Sequence, residues 1–504
     1  MNHENTSESV IIIGAGFAGL AAGIYAQMNG YKTEIFELHD QPGGLCTAWK
    51  RKGYTIDACI HWLVGSSPRS AIHDMWNEVG IARELDIINL EEYLRVKGTD
   101  GRTLIFYSDL DRLEQSLLAF SPRDEKPIRD FIRGVRMCFP FEQPSRNSPA
   151  RKKLSVGLRL MWTLMTKGPA MKRWLNTSAA DFSARFKDPL LREAFTQLWI
   201  PEFSMFFLQF TFSWLHNKNA GYPLGGSMPM SRALERRYLA LGGSIHYKQQ
   251  VEKILTAGNR ATGIRLTNGE EHLADKVISA ADGYTTLYKM LEGKFGKEET
   301  FRPYKEWKPF SGLLVVALGI KNPFENEPRT VSGIVFKLNE KVRVADADIE
   351  WLPVHYYNHD PSMAPEGKTI LTVMLSSDYD FWKALDAESY KKEKADAAQK
   401  IIEILDLHYP GLASQLEMVD VATPLTFERY TGNWKGSFEG WMLTPSNSSY
   451  AMKKMPQQIP GLNNCYMCGQ WVEPGGGLPT SVLSGKRLVK ILCRSDRKKF
   501  KVTC

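Results

Sequence analysis

One stretch near the start of the chain limits the possible folds more than any other. Val10-Ile11-Ile12-Ile13 runs into the turn Gly14-Ala15-Gly16-Phe17-Ala18-Gly19 and then into small residues up to Met28. A second apolar run, Thr33-Glu34-Ile35-Phe36-Glu37, ends on an acid. The pattern predicts a strand, a phosphate-binding turn, a helix and a second parallel strand with a carboxylate at its tip. Gly14 permits the tight turn, Gly16 lets backbone approach a pyrophosphate, and Gly19 lets helix and strand pack closely. The free N–H groups at the helix start, around Phe17 and Ala18, face the phosphates. Glu37 follows Gly14 by 23 residues, where a ribose hydroxyl needs an acceptor. The bland alternative is an ordinary glycine-rich turn. The strand before it, the helix after it and the acid on the next strand favour the dinucleotide site.

With 504 residues the chain is too long for one simple core, so two or more domains are expected. A composition of 43% hydrophobic and 24% charged residues is that of a globular protein. Seven scattered cysteines suggest no disulfide framework and fit a reducing cytoplasm. Residues 1–9 lack the basic start and apolar core of a signal peptide. No apolar run is long enough to predict a membrane-spanning helix. The net charge of +8 reads first as a generally basic surface. Two clusters offer more: Arg151-Lys152-Lys153 leading into the apolar residues 154–175, and the tail from Arg494 to Lys501. Basic clusters beside apolar residues suit peripheral contact with an anionic membrane surface. No nucleic-acid motif is visible, so a nucleic-acid partner is not expected.

Beyond Glu37 and Leu38 stand His39, Asp40 and the glycine pair Gly43-Gly44, then Gly53-Tyr54, Asp57 and His61-Trp62. This arrangement resembles the FAD-binding start of the flavin amine oxidase and phytoene desaturase superfamily. Its finer features resemble the branch that holds phytoene desaturases, carotenoid isomerases and retinol saturases. Two positions depart from that pattern. Leu45 stands where desaturases and amine oxidases usually carry arginine, and Cys59 stands where glycine is common. The first departure favours the isomerase and saturase side.

The resemblance extends to Tyr222-Pro223-Leu224-Gly225-Gly226 and to residues 462–487. It implies that Val251 meets the adenine through its backbone. It also implies that Gly469, Gln470 and the loop Gly477-Leu478-Pro479 meet the ribityl arm and the flavin ring. Gln470 replaces the more usual aspartate; an amide still bonds a hydroxyl or phosphate but adds no charge.

The intervening chain reads as two insertions. Helical patterns dominate residues 69–222, and residues 200–215 are dense in aromatic and apolar side chains. The bland reading of that stretch is a buried core element; the sharper one is the wall of a tunnel for a long apolar substrate. Residues 310–381 read as strands, and residues 388–407 as an amphipathic helix. The expected fold is α/β: a discontinuous Rossmann-like FAD-binding domain (1–68, 222–300 and 411–504) with an inserted α+β substrate domain (69–221 and 301–410).

Few other residues suggest chemistry. His61 could donate a proton or hydrogen-bond the cofactor or substrate, and is the one candidate catalytic residue; its bland reading is a loop histidine satisfied by backbone. Asp57 is expected to fix the local turn. Cys465 and Cys468 form a CxxC, but inside a predicted strand buried, inert thiols are favoured over a redox pair, and no metal site is expected. An amine oxidase would need a lysine near the flavin; Lys435 lies in a suggestive glycine-rich segment, but the sequence does not place it there. The leading expectation is an FAD-dependent oxidoreductase acting on carbon–carbon double bonds of an apolar, isoprenoid-like compound, its electron partner unknown. Reduction or isomerisation is favoured over desaturation by Leu45 and the His61-Trp62 segment. The alternatives are an amine oxidase and a flavin-free lipid carrier.

Overall fold

The computed structural model describes residues 7–447 and 455–503. The first six residues and Cys504 lie outside the described residues, as does the segment 448–454. Within them, the run Val10 to Ile13 forms the strand Ser9–Ile13, buried on both faces. Continuous apolar runs of this kind belong in the middle of a parallel sheet covered by helices. Five described strands form that sheet, in the order Ser244–His246, Lys32–Phe36, Ser9–Ile13, Lys276–Ser279 and Cys465–Met467. Every pairing is parallel. Three widely separated stretches of chain thus build one sheet. Burying each Ile side chain of the central strand contributes roughly 1.5–3 kcal/mol.

Small residues let the covering helices approach. The helix Phe17–Met28 packs between Ser227–Ala240 and Leu478–Ser495. A Cβ on Gly23 would lie 2.6 Å from the Tyr238 ring, and one on Gly485 2.7 Å from Ala18 O and Ala22 N. The turn Asn268-Gly269 joins Arg260–Leu266 to Glu271–Leu273, with Gly269 at φ +90°.

A second, mostly antiparallel sheet of seven described strands stands beside the first. Its order is Leu416–Ala422, Gly312–Ile320, Thr369–Ser377, Ala347–Tyr356, Ile334–Val344, Glu92–Lys97 and Thr103–Tyr107. The helix Ala387–His408 covers it, burying Ile401, Ile402 and Leu405. Two expectations need correction here. The segment 69–222, read as helical, also supplies the strands Glu92–Lys97 and Thr103–Tyr107, whose alternating residues Leu94, Val96, Leu104 and Phe106 are buried. The strand Leu416–Ala422, grouped by sequence with the nucleotide-binding segments, pairs instead with Gly312–Ile320.

The helices of 110–216 pack around a phenylalanine core. Phe131 meets Phe195 edge-on at 5.2 Å and Phe212 at 5.5 Å. The long helix Ala150–Leu175 is different, burying only Thr163 and Trp174 among its described residues.

Candidate functional site

The nucleotide turn is held by backbone. Gly14 adopts φ +97°, and its N–H donates to Phe36 O at 2.8 Å. A Cβ on Gly19 would lie 2.0 Å from Gly14 O, so only glycine fits there. The helix Phe17–Met28 starts from Gly16 with no side-chain cap and no acid in its first turn. Its leading N–H groups are therefore left for an anion. Glu37 lies within the protein and accepts from Ala15 N at 2.6 Å and His39 N at 2.9 Å. Burial pushes its carboxyl above the usual range, and the backbone N–H groups of His39, Ala15 and Leu38 oppose that shift. Gly43, at φ +117°, donates to Ala15 O at 2.9 Å and so draws the second glycine pair against the first turn.

From this turn a cavity of about 1410 Å³ opens. That exceeds the ~300–1,000 Å³ of a common small-molecule pocket. Gly14, Gly16, Phe17, Ala18, Glu37, Leu38, Gly43, Gly44, Leu45, His61, Val251, Gly469, Gln470, Gly477, Leu478 and Pro479 all line it. Ala15 and Gly19 do not: Ala15 is tied to Glu37, and Gly19 packs against Gly14 behind the wall. The structure therefore brings together three stretches that sequence keeps hundreds of residues apart. The residues suit a flavin dinucleotide: an uncapped helix start, glycines whose Cβ atoms would collide, and a carboxylate at the neighbouring strand tip.

The far end of that wall is the loop Gly475-Gly476-Gly477, with all three φ angles positive. It opens the helix Leu478–Ser495, again without a side-chain cap. Glu439 faces this loop and accepts from Gly477 N at 3.1 Å. Its surroundings desolvate it although it borders the cavity, and burial raises its carboxyl to about 8 against the opposing Gly477 hydrogen bond. Nothing in the sequence marked Glu439. Asp282, also on the wall, is raised by burial to about 6 while Thr285 N bonds it at 2.9 Å.

The other wall is aromatic. Trp199 stacks on Phe203 at 4.9 Å, and Trp62 meets Trp199 edge-on at 6.0 Å. The helix Met205–His216 divides between two surroundings: Leu208 and Phe212 lie in the core, while Phe207, Thr211 and Trp214 line the cavity.

Between the walls sits His61. It follows the strand Tyr54–Asp57, where fully buried Asp57 accepts from Cys59 N, Ser227 N and Ser227 Oγ at 2.9, 2.6 and 2.8 Å. Asp57 thus fixes the turn and the approach of Gly226-Ser227. Burial lowers His61 to about 4, only partly offset by the Cys59 backbone, so the ring is neutral at pH 7. A neutral imidazole still donates one N–H hydrogen bond. The His355 ring lies 4.7 Å from His61, at 86°. It comes from the strand Ala347–Tyr356, and no sequence pattern linked the two.

Lys435 and Cys465 lie off the cavity wall, whereas Cys468 lines it. Lys435 pairs with Asp380 at 2.7 Å and does not line the cavity. Cys465 and Cys468 are buried, and burial pushes both thiols up to about 12, so neither is a reactive thiolate at pH 7.

Fold and cavity are those of a dinucleotide-binding protein whose second sheet lines the cavity through Leu313, His355 and Thr372. The chain belongs to the flavin containing amine oxidoreductase family, which matches residues 17–492. It is accordingly a flavin-dependent enzyme. It is 26% identical over 496 residues to prolycopene isomerase 1, chloroplastic, of an Oncidium hybrid cultivar, covering 94% of this chain and 82% of that one. It is 25% identical over 506 residues to the lycopene-forming phytoene desaturase of Pseudescherichia vulneris, covering 96% and 99%. A solved oxidoreductase of Methanosarcina mazei shares the fold, with TM-score 0.62, 19% identity and coverage of 96% and 100%. Cyclohexylamine oxidase of Brevibacterium oxydans does so too, with TM-score 0.61, 13% identity and coverage of 98% and 100%.

Proposed function

We propose that the chain is an FAD-dependent oxidoreductase acting on carbon–carbon double bonds of an apolar, isoprenoid-like compound. The observation that carries this reading is the single cavity joining the nucleotide turn, the Gly475–Gly477 loop and the aromatic wall at Trp199 and Phe203. The names of the relatives, a prolycopene isomerase and a lycopene-forming phytoene desaturase, support the same substrate class. Reduction or isomerisation is favoured over desaturation by Leu45, which lines the cavity and stands where the resemblance implies an arginine in desaturases.

In this reading Gly14, Gly16, Glu37, Gly43 and Gly44 hold the nucleotide end, with Val251 beside them. Gly469, Gln470 and Gly477-Leu478-Pro479 hold the ring end. A bound flavin supplies hydride transfer, and the protein supplies position, exclusion of water and protons. Glu439, protonated below about pH 8, can release a proton from its carboxyl oxygen at the ring-end loop. The tryptophan and phenylalanine wall orients the apolar chain and keeps water from the reacting carbons. Segments 1–68, 222–300 and 411–504, less the strand Leu416–Ala422, act as the cofactor domain, and the remainder as the substrate domain.

The helix Ala150–Leu175 extends the reading to a membrane surface. Leu154, Leu158, Met161, Trp162 and Met165 follow helical spacing and point outward, with Trp162 60% and Met165 77% exposed. The helix carries Arg151, Lys152, Lys153 and Arg159 and no acidic residue. An apolar stripe flanked by cations suits peripheral docking on anionic lipid, where an apolar substrate dissolves. No described helix is long and apolar enough to cross a membrane. The function is tested by adding apolar alkenes to photoreduced holoenzyme without oxygen and following both flavin colour and product. Conversion by the oxidised enzyme alone would overturn the preferred direction.

A further inference from the structure

One patch of the cavity wall does not suit a pure hydrocarbon. His355 is 5% exposed and lines the cavity, yet neither its Nδ1 nor its Nε2 has a hydrogen-bond partner. His61 stands beside it, 4.7 Å away between ring centroids. Thr372, its register partner on the strand Thr369–Ser377, lines the same stretch. Tyr357 packs 4.5 Å from His355, but its hydroxyl donates to Asp57 O at 2.9 Å and leaves the histidine unserved. Burial holds both imidazoles below their ordinary range, so each is neutral; His355 offers one donor and one acceptor, while the Cys59 backbone already engages one side of His61.

Water in the open cavity can pair these nitrogens. A ligand that displaces the water must replace its bonds or leave buried polar groups unpaired, which is unfavourable. A hydrocarbon cannot replace them. A carboxylate would gain no charge partner from two neutral rings. A hydroxyl or carbonyl matches them.

We propose that the cavity takes an apolar molecule bearing a neutral oxygen function, a hydroxyl or a carbonyl, which docks on His355 and His61. The inference rests on the alkene-site reading above and narrows it. An oxygen held at this point, with the apolar chain along Trp199 and Phe203, fixes which double bond reaches the cofactor. His355 is then a specificity residue, contacting substrate away from the reacting carbons. The competing oxygen is the flavin's own carbonyl, so the test separates the two.

The test uses FAD-loaded enzyme, a C20 isoprenoid alcohol and the hydrocarbon of the same chain length. Binding is read by quenching of tryptophan fluorescence, and reaction by anaerobic reoxidation of the photoreduced flavin and by product analysis. The expected result is an apparent Kd about tenfold or more lower for the alcohol, the order expected for losing one good hydrogen bond in a buried site. His355→Leu should abolish that preference by weakening the alcohol alone, with FAD content and flavin spectrum unchanged, and His355→Gln should restore part of it. Equal affinity for the two compounds in the native enzyme would overturn the proposal. So would a preference that survives His355→Leu, or a His355→Leu effect confined to the flavin spectrum. Alcohol preference without any conversion would leave the proposal standing and sink the alkene-chemistry reading; conversion of both compounds without preference would do the reverse.

Discussion

Gly477 donates its backbone N–H to Glu439 across 3.1 Å, at the start of the helix Leu478–Ser495. The contact joins a strap of chain near residue 439 to the loop that closes the cofactor end of the cavity. It also leaves a carboxyl desolvated beside the predicted reaction space.

That carboxyl makes stability depend on pH. Burial raises Glu439 from an ordinary 4.5 to about 8, so the folded protein binds a proton that the unfolded chain has released between those values. Stability contributed by the neutral acid is fully present below about pH 4.5 and is lost as pH rises to about 8. Glu439→Gln keeps an acceptor for Gly477 and removes the titration. The thermal midpoint of the variant should fall less than the native one between pH 5 and 8. If Glu439 also delivers the proton, turnover should drop by roughly 10²-fold or more and lose its alkaline limb near pH 8. Unchanged pH profiles for both quantities would remove Glu439 from the account.

The nucleotide turn predicts a steric effect. Gly19→Ala places a Cβ 2.0 Å from Gly14 O, and backbone must move to relieve it. Overpacking of this kind costs about 1–3 kcal/mol. Because the shift falls on the phosphate turn, purified protein should retain less than about a tenth of the native FAD. Absorbance of the denatured supernatant measures this; native flavin content in the variant would contradict the packing argument.

The exposed stripe on the helix Ala150–Leu175 predicts lipid binding. Each Lys or Arg near an anionic surface contributes about 1 kcal/mol at moderate ionic strength. The protein should co-sediment with vesicles of phosphatidylglycerol and phosphatidylcholine, and less so as salt is raised. The double substitution Trp162→Ser and Met165→Ser should lower that binding by about tenfold and leave FAD content intact. Failure of the native protein to sediment at low salt would end the membrane reading.

The parts legible in sequence were those whose physics is local. Val10 to Glu37 announced its strand, turn and helix because neighbouring residues carry the whole pattern, and Gly477-Leu478-Pro479 announced a helix start in the same way. Lys435 could not be placed from sequence, since a glycine-rich context does not say where a side chain points; it pairs with Asp380 away from the cavity. His61 was visible as a residue but not in its protonation state, which depends on what buries it. His355 and Glu439 were not legible at all. Each acquires its role only when the strand Ala347–Tyr356 or the chain near residue 439 is brought against segments far away in sequence. The strand Leu416–Ala422 was grouped with the wrong sheet for the same reason: pairing with Gly312–Ile320 is a long-range fact that no local pattern encodes.

The central claim is that a reduced cofactor at the Gly475–Gly477 loop meets an apolar alkene on the Trp199 and Phe203 wall. Anaerobic photoreduction of the holoenzyme, followed by addition of an isoprenoid alkene, tests it most directly. The account predicts alkene conversion by the reduced enzyme, either with return of the yellow flavin colour as the double bond is reduced, or with a change of double-bond geometry while the flavin stays reduced. Conversion only by the oxidised enzyme, with bleaching of the flavin and a longer polyene as product, would contradict it.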